Sequence, residues 1–559
     1  MKPETYRKGQ ETSVSETVSA ARSPGRTRQK TILESAGLAV LYVLPIADGF
    51  IKTWHWNSFH HAHPVGSIPR AIFFLTLLVW ALAWLVIAAL DRLPPRGRNV
   101  AWIAFSVLLV WLLGRIGAVV FGAHPAIALR TLLVSHIGVI LVPVALFLLW
   151  TLRPQILRQV LGAVRMVFTV SAFGMIILLP KLAWQALHFE APEQTSFVSP
   201  SLQPAASAQP RIVWIIMDEL SYHEVFENPP SGLTFPNLER FAQHSTTFSN
   251  LQPTGYHTEE VIPGLILGQP VADVEHIYGR PFRFRSTYRG AWHPYDPALT
   301  LFGEAHRRGW TTGIAGWFNP YCRYLPGVLD RCFWQYSDVY PGLPVKLDYN
   351  RSTLANLWAL VPPHEHLDPL AVHRIDHETH MHDYADIMKQ SESLLHDQRI
   401  RFVMLHLPVP HTPGIYNRSR HELVPAGNYI DNLVLADDTL GRLMKLIQSM
   451  PDAAETSVIV SSDHSWRVAD WKILSDWTPE EERISGERFD PRPVLMVHLA
   501  GSEEGHDVAH PTSAMVVHSI LDAMLRGQAE TPSAIAALAA GEPAITAPEG
   551  GPAARGSPK

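Results

Sequence analysis

Residues 250–268 read NLQPTGYHTEEVIPGLILG, with Thr258 followed by Pro263 five positions on and Gly268 ten positions on. Thr258 is the candidate nucleophile, and two distant segments make sense only beside it. The apolar run IVWIIM (212–217) ends on Asp218 and Glu219, and SVIVSSDHS (457–465) ends on Asp463 and His464. Each is a short, β-branched-rich run that delivers a carboxylate or an imidazole where the apolar residues stop. A parallel sheet presents polar groups in this way, at the carboxyl ends of buried strands. The pattern predicts an α/β domain with a mostly parallel central sheet and a site where strand ends converge.

Acids, an imidazole and a hydroxyl brought together there would form an O,O,O,N set suited to one divalent cation. The expected ligands are Asp218, Glu219, Thr258, Asp463 and His464, with the choice between the adjacent acids open. Zn²⁺ or Mn²⁺ suits the set, with Mg²⁺ or Ca²⁺ as alternatives. Coordination also gives the hydroxyl its use. A free threonine is a poor nucleophile at neutral pH, and a dication is one of the few ways to favour its alkoxide without a neighbouring base.

The strand ending in Asp218, the Thr258–Pro263–Gly268 spacing, the segment HLPVPHTP with His411 and the SDH of Asp463 and His464 come in this order. In that order they resemble the alkaline phosphatase and sulfatase superfamily, and most closely its membrane-anchored branch of lipoteichoic acid synthases, phosphoglycerol transferases and phosphoethanolamine transferases. The resemblance implies an alkaline phosphatase-like α/β sandwich. It also implies a phosphotransferase that moves phosphoglycerol or phosphoethanolamine from a membrane phospholipid to an envelope glycan or lipid through a phosphothreonine. His411 matches the family's histidine that contacts the substrate phosphate. Hydrolysis at the same metal site, of a phosphodiester or a sulfate ester, is the alternative, and an inactive envelope-binding module is a third reading. Sulfatases of this fold need a Cys or Ser converted to formylglycine, and Thr258 disfavours sulfate esters. Ser465 departs from the family, standing where a glycine usually follows the aspartate and histidine. The stretch after it lacks the additional histidine of phosphoethanolamine transferases.

The whole 559-residue chain is 47% hydrophobic and 17% charged, too apolar for an average soluble protein. Residues 1–31 form a basic tail with no apolar periodicity, expected to be disordered and cytoplasmic. Five apolar runs near 33–51, 71–90, 100–121, 128–151 and 160–180 predict a five-helix transmembrane domain over 32–188. Glu34, Pro45 and Asp48 interrupt the first run. Arg92, Arg96, Arg98, Arg153 and Arg158 gather in two of the loops, and the positive-inside rule then puts the catalytic domain outside a multi-pass inner (plasma) membrane, in the periplasm. A Pro, Ser and Ala linker covers 189–209, the catalytic domain 210–527, and an Ala, Pro and Gly tail 528–559.

Cys322 and Cys332, the two cysteines of the chain, share one short aromatic loop and on the outward side are expected to form a disulfide. Arg283 and Arg285 alternate with aromatics in GRPFRFRSTYRG, the pattern of a solvated edge strand or of a surface that grips an anionic headgroup. The run HRIDHETHMH, with His373, His377, His380 and His382, is expected to be a surface helix, and His406 a structural strand-end residue. A net charge of −5 and the lack of a Gly-rich phosphate loop argue against nucleic acid and nucleotide partners, and a monomer is expected.

Overall fold

The computed structural model describes residues 24–51, 67–120, 125–187, 195–200, 202, 210–276, 281–336, 352–360, 371–472, 477–486 and 489–542. Its amino-terminal half is helical: α1 (Pro24–Ile51), α2 (Ser67–Leu90), α3 (Pro95–Val120), α4 (Pro125–Leu152), α5 (Pro154–Ser171) and α6 (Met175–Leu187). Among the described residues, four stretches are long and apolar enough to cross a membrane: Arg28–Ala47, Ser67–Leu90, Arg96–Gly114 and Pro154–Leu187. α4 is also 28 residues long, but many of its side chains lie outside the described residues, as do those of Arg115 in α3 and Asp48 in α1.

Glu34, which breaks the first apolar run, is fully buried and bound by the Arg165 guanidinium through two contacts of 2.7 and 2.8 Å. Arg165 also stacks on Trp102 and lies 3.9 Å from Asp91. A charge taken out of water persists where it is paired and hydrogen-bonded. This network ties α1 to the end of α2 and to α5.

The carboxyl-terminal half is an α/β domain around a nine-stranded sheet. In chain order the strands are β1 (Ser196–Val198), β2 (Arg211–Met217), β3 (Thr246–Phe248), β4 (Thr312–Trp317), β5 (Arg331–Gln335), β6 (Phe402–Leu407), β7 (Thr456–Ser461), β8 (Leu495–His498) and β9 (His506–Val508). Their spatial order is β1-β5-β4-β6-β2-β7-β8-β3-β9. The five central strands from β5 to β7 are parallel, and antiparallel pairings enter with β1 at one edge and β8 on the other side. Every residue of β2 is buried. Ile212, Trp214 and Ile216 belong to one core, and Val213, Ile215 and Met217 to the other. Side chains alternate across a strand, so a run with no polar break is what covering both faces requires.

Five helices matter below: α7 (Thr258–Leu267), α8 (Thr353–Leu360), α9 (Ala371–His396), α10 (Tyr429–Gln448) and α11 (Val516–Leu525). A reciprocal capping box of Asn428 and Asp431 starts α10. Three boundaries differ from the sequence expectation. The basic tail is helical from Pro24, because α1 continues through it. The linker contributes β1, which pairs with residues 331–333. A helix from Pro532 to Gly541, α12, buries Ile535 and Ala539 in the core, so order runs past residue 527. Alanine-rich sequence propagates a helix well once a face can be buried.

Candidate active site

Asp218 and Glu219 follow β2, yet they point to different places. Glu219 has φ of 66°, the left-handed region that non-glycine residues enter at a cost. Its N–H donates to Asp463 Oδ1 at 3.2 Å, and its carbonyl accepts from the Tyr429 hydroxyl at 2.8 Å. This turn sends Asp218 toward Thr258 and Glu219 toward Arg467. Asp218 is therefore the inward acid.

Thr258 is the first residue of α7, where the positive end of the helix dipole faces the site. Its Oγ1 lies 2.8 Å from Asp463 Oδ2, 3.2 Å from Asp218 Oδ2 and 3.4 Å from His464 Nε2. Gly268 ends the helix at φ of 75°, and a Cβ there would meet the His518 imidazole at 2.5 Å. The spacing from Thr258 to Gly268 is thus the length of one helix with a left-handed cap.

The backbone around the SDH motif orients its side chains. Asp463 Oδ1 accepts from the His464 N–H at 2.9 Å as well as from Glu219, which leaves Oδ2 for Thr258. His464 Nδ1 is 3.0 Å from the Ser465 carbonyl, a contact that, with Nδ1 donating, leaves Nε2 as the free lone pair. Ser465 itself donates to the Asp490 carbonyl at 2.7 Å and lies 3.0 Å from the Ser221 hydroxyl. The residue in the usual glycine position thereby fastens the motif to the loop before β8.

His406 joins this set, which corrects the expectation that it is merely structural. Tyr321 Oη holds its Nδ1 at 2.7 Å, and its Nε2 lies 3.4 Å from Asp218 Oδ2. Asp218, His406 and Asp463 each offer a ligand atom within 4.8 Å of the others. Asp218 Oδ1 and His406 Nε2 are buried without a hydrogen-bond partner among the described residues. Buried polar atoms left bare are costly, and two at one point fit a cation. Burial first, then the neighbouring Asp463 and Glu219, push the Asp218 carboxyl well above its ordinary range. Burial holds the His464 and His406 imidazoles down, at about 3 and about 4. Neutral imidazoles and facing carboxylates are a donor set that a dication would stabilise. Asp218, His406 and Asp463 could hold it, with the Thr258 hydroxyl and His464 Nε2 bordering them.

Glu219 is bound instead by Arg467 Nε at 2.7 Å and by Trp471 Nε1 at 2.9 Å. Burial opposes the Arg467 charge, but Glu219 outweighs it and holds the guanidinium above its usual range. Arg467 also reaches His257 Nδ1 at 3.3 Å and His411 Nε2 at 3.1 Å, so it ties the residue before Thr258 to the histidine of HLPVPHTP. His411 Nδ1 faces the Thr412 carbonyl. With Nδ1 donating there and Nε2 accepting from Arg467, the imidazole is neutral, and burial followed by the Arg467 charge lowers it well below its usual range.

The histidine run behaves differently from the surface helix expected. His377, Thr379, His380 and Asp383 of α9 are buried, whereas His382 is exposed and the His373 side chain lies outside the described residues. The helix packs on β4, β5 and β6, and the His380 ring comes within 5.9 Å of His411 and 5.4 Å of Trp317. Arg283 and Arg285 stand apart from this cluster on a separate three-stranded sheet. They are paired with Glu275 and Asp273 and stacked on Trp292. Cys322 and Cys332 are joined in a disulfide.

The profile of the sulfatase family matches residues 210–502, more than half of the chain. The chain belongs to the sulfatase family. This superfamily is metal-dependent, in keeping with the buried acid and histidine group. Among solved structures, Ps i-CgsB is similar at 15% identity and a TM-score of 0.38, over 57% of this chain and 72% of that one. The phosphonate monoester hydrolase of Agrobacterium radiobacter is similar at 14% and 0.34, over 57% and 74%. An alkaline phosphatase superfamily protein from Vibrio parahaemolyticus is similar at 14% and 0.36, over 61% and 71%. Likenesses this distant say nothing of the substrate. No curated protein sequence matches the chain significantly.

Proposed function

We propose that this sulfatase-family protein is a membrane-bound, metal-dependent phosphotransferase. In this reading it carries a phospho-headgroup, phosphoglycerol or phosphoethanolamine, from a phospholipid to an envelope glycan or lipid. The observation that carries the reading is the placement of Thr258. A hydroxyl at a helix start, 2.8 Å from Asp463 and 3.2 Å from Asp218, sits in a chain that also has long apolar helices. A soluble hydrolase has no need of such helices, whereas an enzyme with a lipid donor must hold its nucleophile near the headgroups. The catalytic domain faces outward on this reading, by the distribution of Arg92, Arg96, Arg98, Arg153 and Arg158.

A bound dication would lower the pKa of the Thr258 hydroxyl and neutralise charge on the transferred phosphoryl group. The Thr258 hydroxyl, 2.8 Å from Asp463 Oδ2, is oriented by that carboxylate, and its one proton is released as Oγ1 attacks phosphorus. The Thr258 Oγ1–P bond forms as the bond from phosphorus to the diacylglycerol oxygen breaks, and diacylglycerol leaves with a proton. The acceptor hydroxyl then reverses the exchange, breaking the phosphothreonine. Arg467, held by Glu219, supplies fixed positive charge beside the site, and neutral His411 positions that guanidinium. Hydrolysis, with water as acceptor, uses the same first half. Thr258 in place of a formylglycine precursor disfavours sulfate esters.

Intact mass spectrometry after incubation with mixed phospholipids tests this scheme. A phospho-headgroup adduct on Thr258, absent from Thr258→Ala, is expected. Active protein with no adduct under rapid quench, together with full activity of Thr258→Ala, would rule out the covalent scheme.

A further inference from the structure

Helix α8 reads TLANLWAL, eight residues without a charge, and belongs to the catalytic half of the chain, between β5 and α9. Its buried residues, Asn356 and Leu360, are four apart and close on the membrane helices. Leu360 joins the cluster of Ile68, Ala71, Ile72 and Leu75 from α2, and Asn356 Nδ2 lies 3.4 Å from Ser67 Oγ. Leu354 and Trp358, also four apart, share the other face, and each is 73% exposed.

The neighbours of that stripe say what covers it. α8 docks at the first turns of α2, a helix long and apolar enough to span a bilayer, whose Phe74 and Leu78 also turn outward. The contact therefore lies at one end of a span, the depth at which tryptophan favours the boundary between lipid and water. A short helix with no charge, one face packed on a span and the other offering Leu and Trp, suits an in-plane position at the interface.

We propose that α8 is an interfacial helix by which the catalytic domain inserts into the leaflet at the Ser67 end of α2, with Leu354 and Trp358 in contact with lipid. The proposal rests on reading α2 as a membrane span and is independent of the chemistry at Thr258. It gives the domain a second hold on the bilayer besides the link after α6. That hold lies on the same connection that leads into α9, where His380 flanks His411. The Thr258 site is then held at a set height above the headgroups.

Both native cysteines are in the disulfide, so a new cysteine would be the single labelling site. Leu354→Cys and Trp358→Cys in the full chain, each carrying an environment-sensitive fluorophore, are placed in nanodiscs of phosphatidylethanolamine and phosphatidylglycerol. Both positions are exposed, so neither substitution disturbs packing. The expected result is blue-shifted emission, several-fold quenching by lipids spin-labelled near the headgroup, and protection from aqueous iodide. Quenching by iodide with none by the spin-labelled lipid would overturn the proposal, since the stripe would then face water. Protection from both quenchers would overturn it too, because protein, such as a second copy of the chain, would cover the stripe. A chain that shows lipid immersion but, while active, forms no Thr258 adduct and keeps full activity as Thr258→Ala would refute the covalent transferase scheme and leave the role of α8 standing.

Discussion

Asp218→Asn and Glu219→Gln alter neighbouring residues and should fail in different ways. Asp218 lies with Thr258, Asp463 and His406, and its loss removes a carboxylate from the centre of the donor set. Metal content should fall, with little loss of stability in the metal-free protein. Glu219 is turned away and neutralises Arg467, and the side chains of this pair are 0% and 12% exposed. Removing one partner of a buried ion pair costs about 3–5 kcal/mol, because the other charge is left uncompensated. The glutamine amide would still accept hydrogen bonds from Arg467 and Trp471, and His257 and His411 keep their contacts, so the lower end, about 3 kcal/mol, applies. At about 2 °C per kcal/mol for a domain of this size, Tm should drop by about 6 °C. Metal content should be nearly unchanged. Adding Arg467→Met to Glu219→Gln removes the orphaned charge and should recover much of the loss. Thermal unfolding with elemental analysis of the same samples reads both quantities. A Glu219→Gln protein that loses its metal, beside an Asp218→Asn protein that keeps it, would show the assignment of the two acids to be inverted.

Three further outcomes follow from the same geometry. Burial holds His380 down at about 4, below the roughly 6.5 of a free imidazole, so its neutral form supports the fold fully above about pH 6.5 and that support, about 3 kcal/mol, is lost as pH falls toward 4. His380→Gln should flatten this limb in urea titrations across that range, and an unchanged limb would mean that the imidazole is solvated. Chelation should leave Asp218 and Asp463 facing each other, and since the Asp218 carboxyl is raised in the fold, the chelated protein should gain stability as pH falls toward the ordinary carboxylate range; the loaded protein should not. Replacing Cys322 and Cys332 with serine opens a loop of sequence separation 10, and denaturant midpoints should report a loss of about 2–3 kcal/mol.

The strands were legible because their physics is local. IVWIIM is apolar at every position and SVIVSS carries an unbroken VIV core, and a strand covered on both faces requires such a run. The order of Asp218, Thr258 and the SDH motif predicts convergence, and the sheet brings them together because β2 and β7 are parallel neighbours in register. α12 was hidden because alanine-rich sequence reads as low complexity until a core is present to take Ile535 and Ala539. Glu34 illustrates the same limit in the apolar amino-terminal helices. A carboxylate in an apolar run counts against a span, and its partner Arg165 lies 131 residues away, beyond any local window.

The site divides along the same line. Which of two adjacent acids turns inward depends on a single backbone angle, and the φ of 66° at Glu219 is set by Asp463 and Tyr429, both more than 200 residues distant. His406 reads from sequence as structural because a histidine ending a buried strand has a bland explanation. What gives it a role is Tyr321, which occupies one ring nitrogen and leaves the other bare beside Asp218. Arg467 had a signal, a cation three residues after His464 in a segment otherwise read only for a missing histidine. Its contacts now give that segment a purpose. An anion drawn to this site would need a fixed positive charge beside it, and the neutral His411 cannot supply one. Arg467 is a cation within reach, because Glu219 offsets its burial while leaving the guanidinium in contact with both His257 and His411.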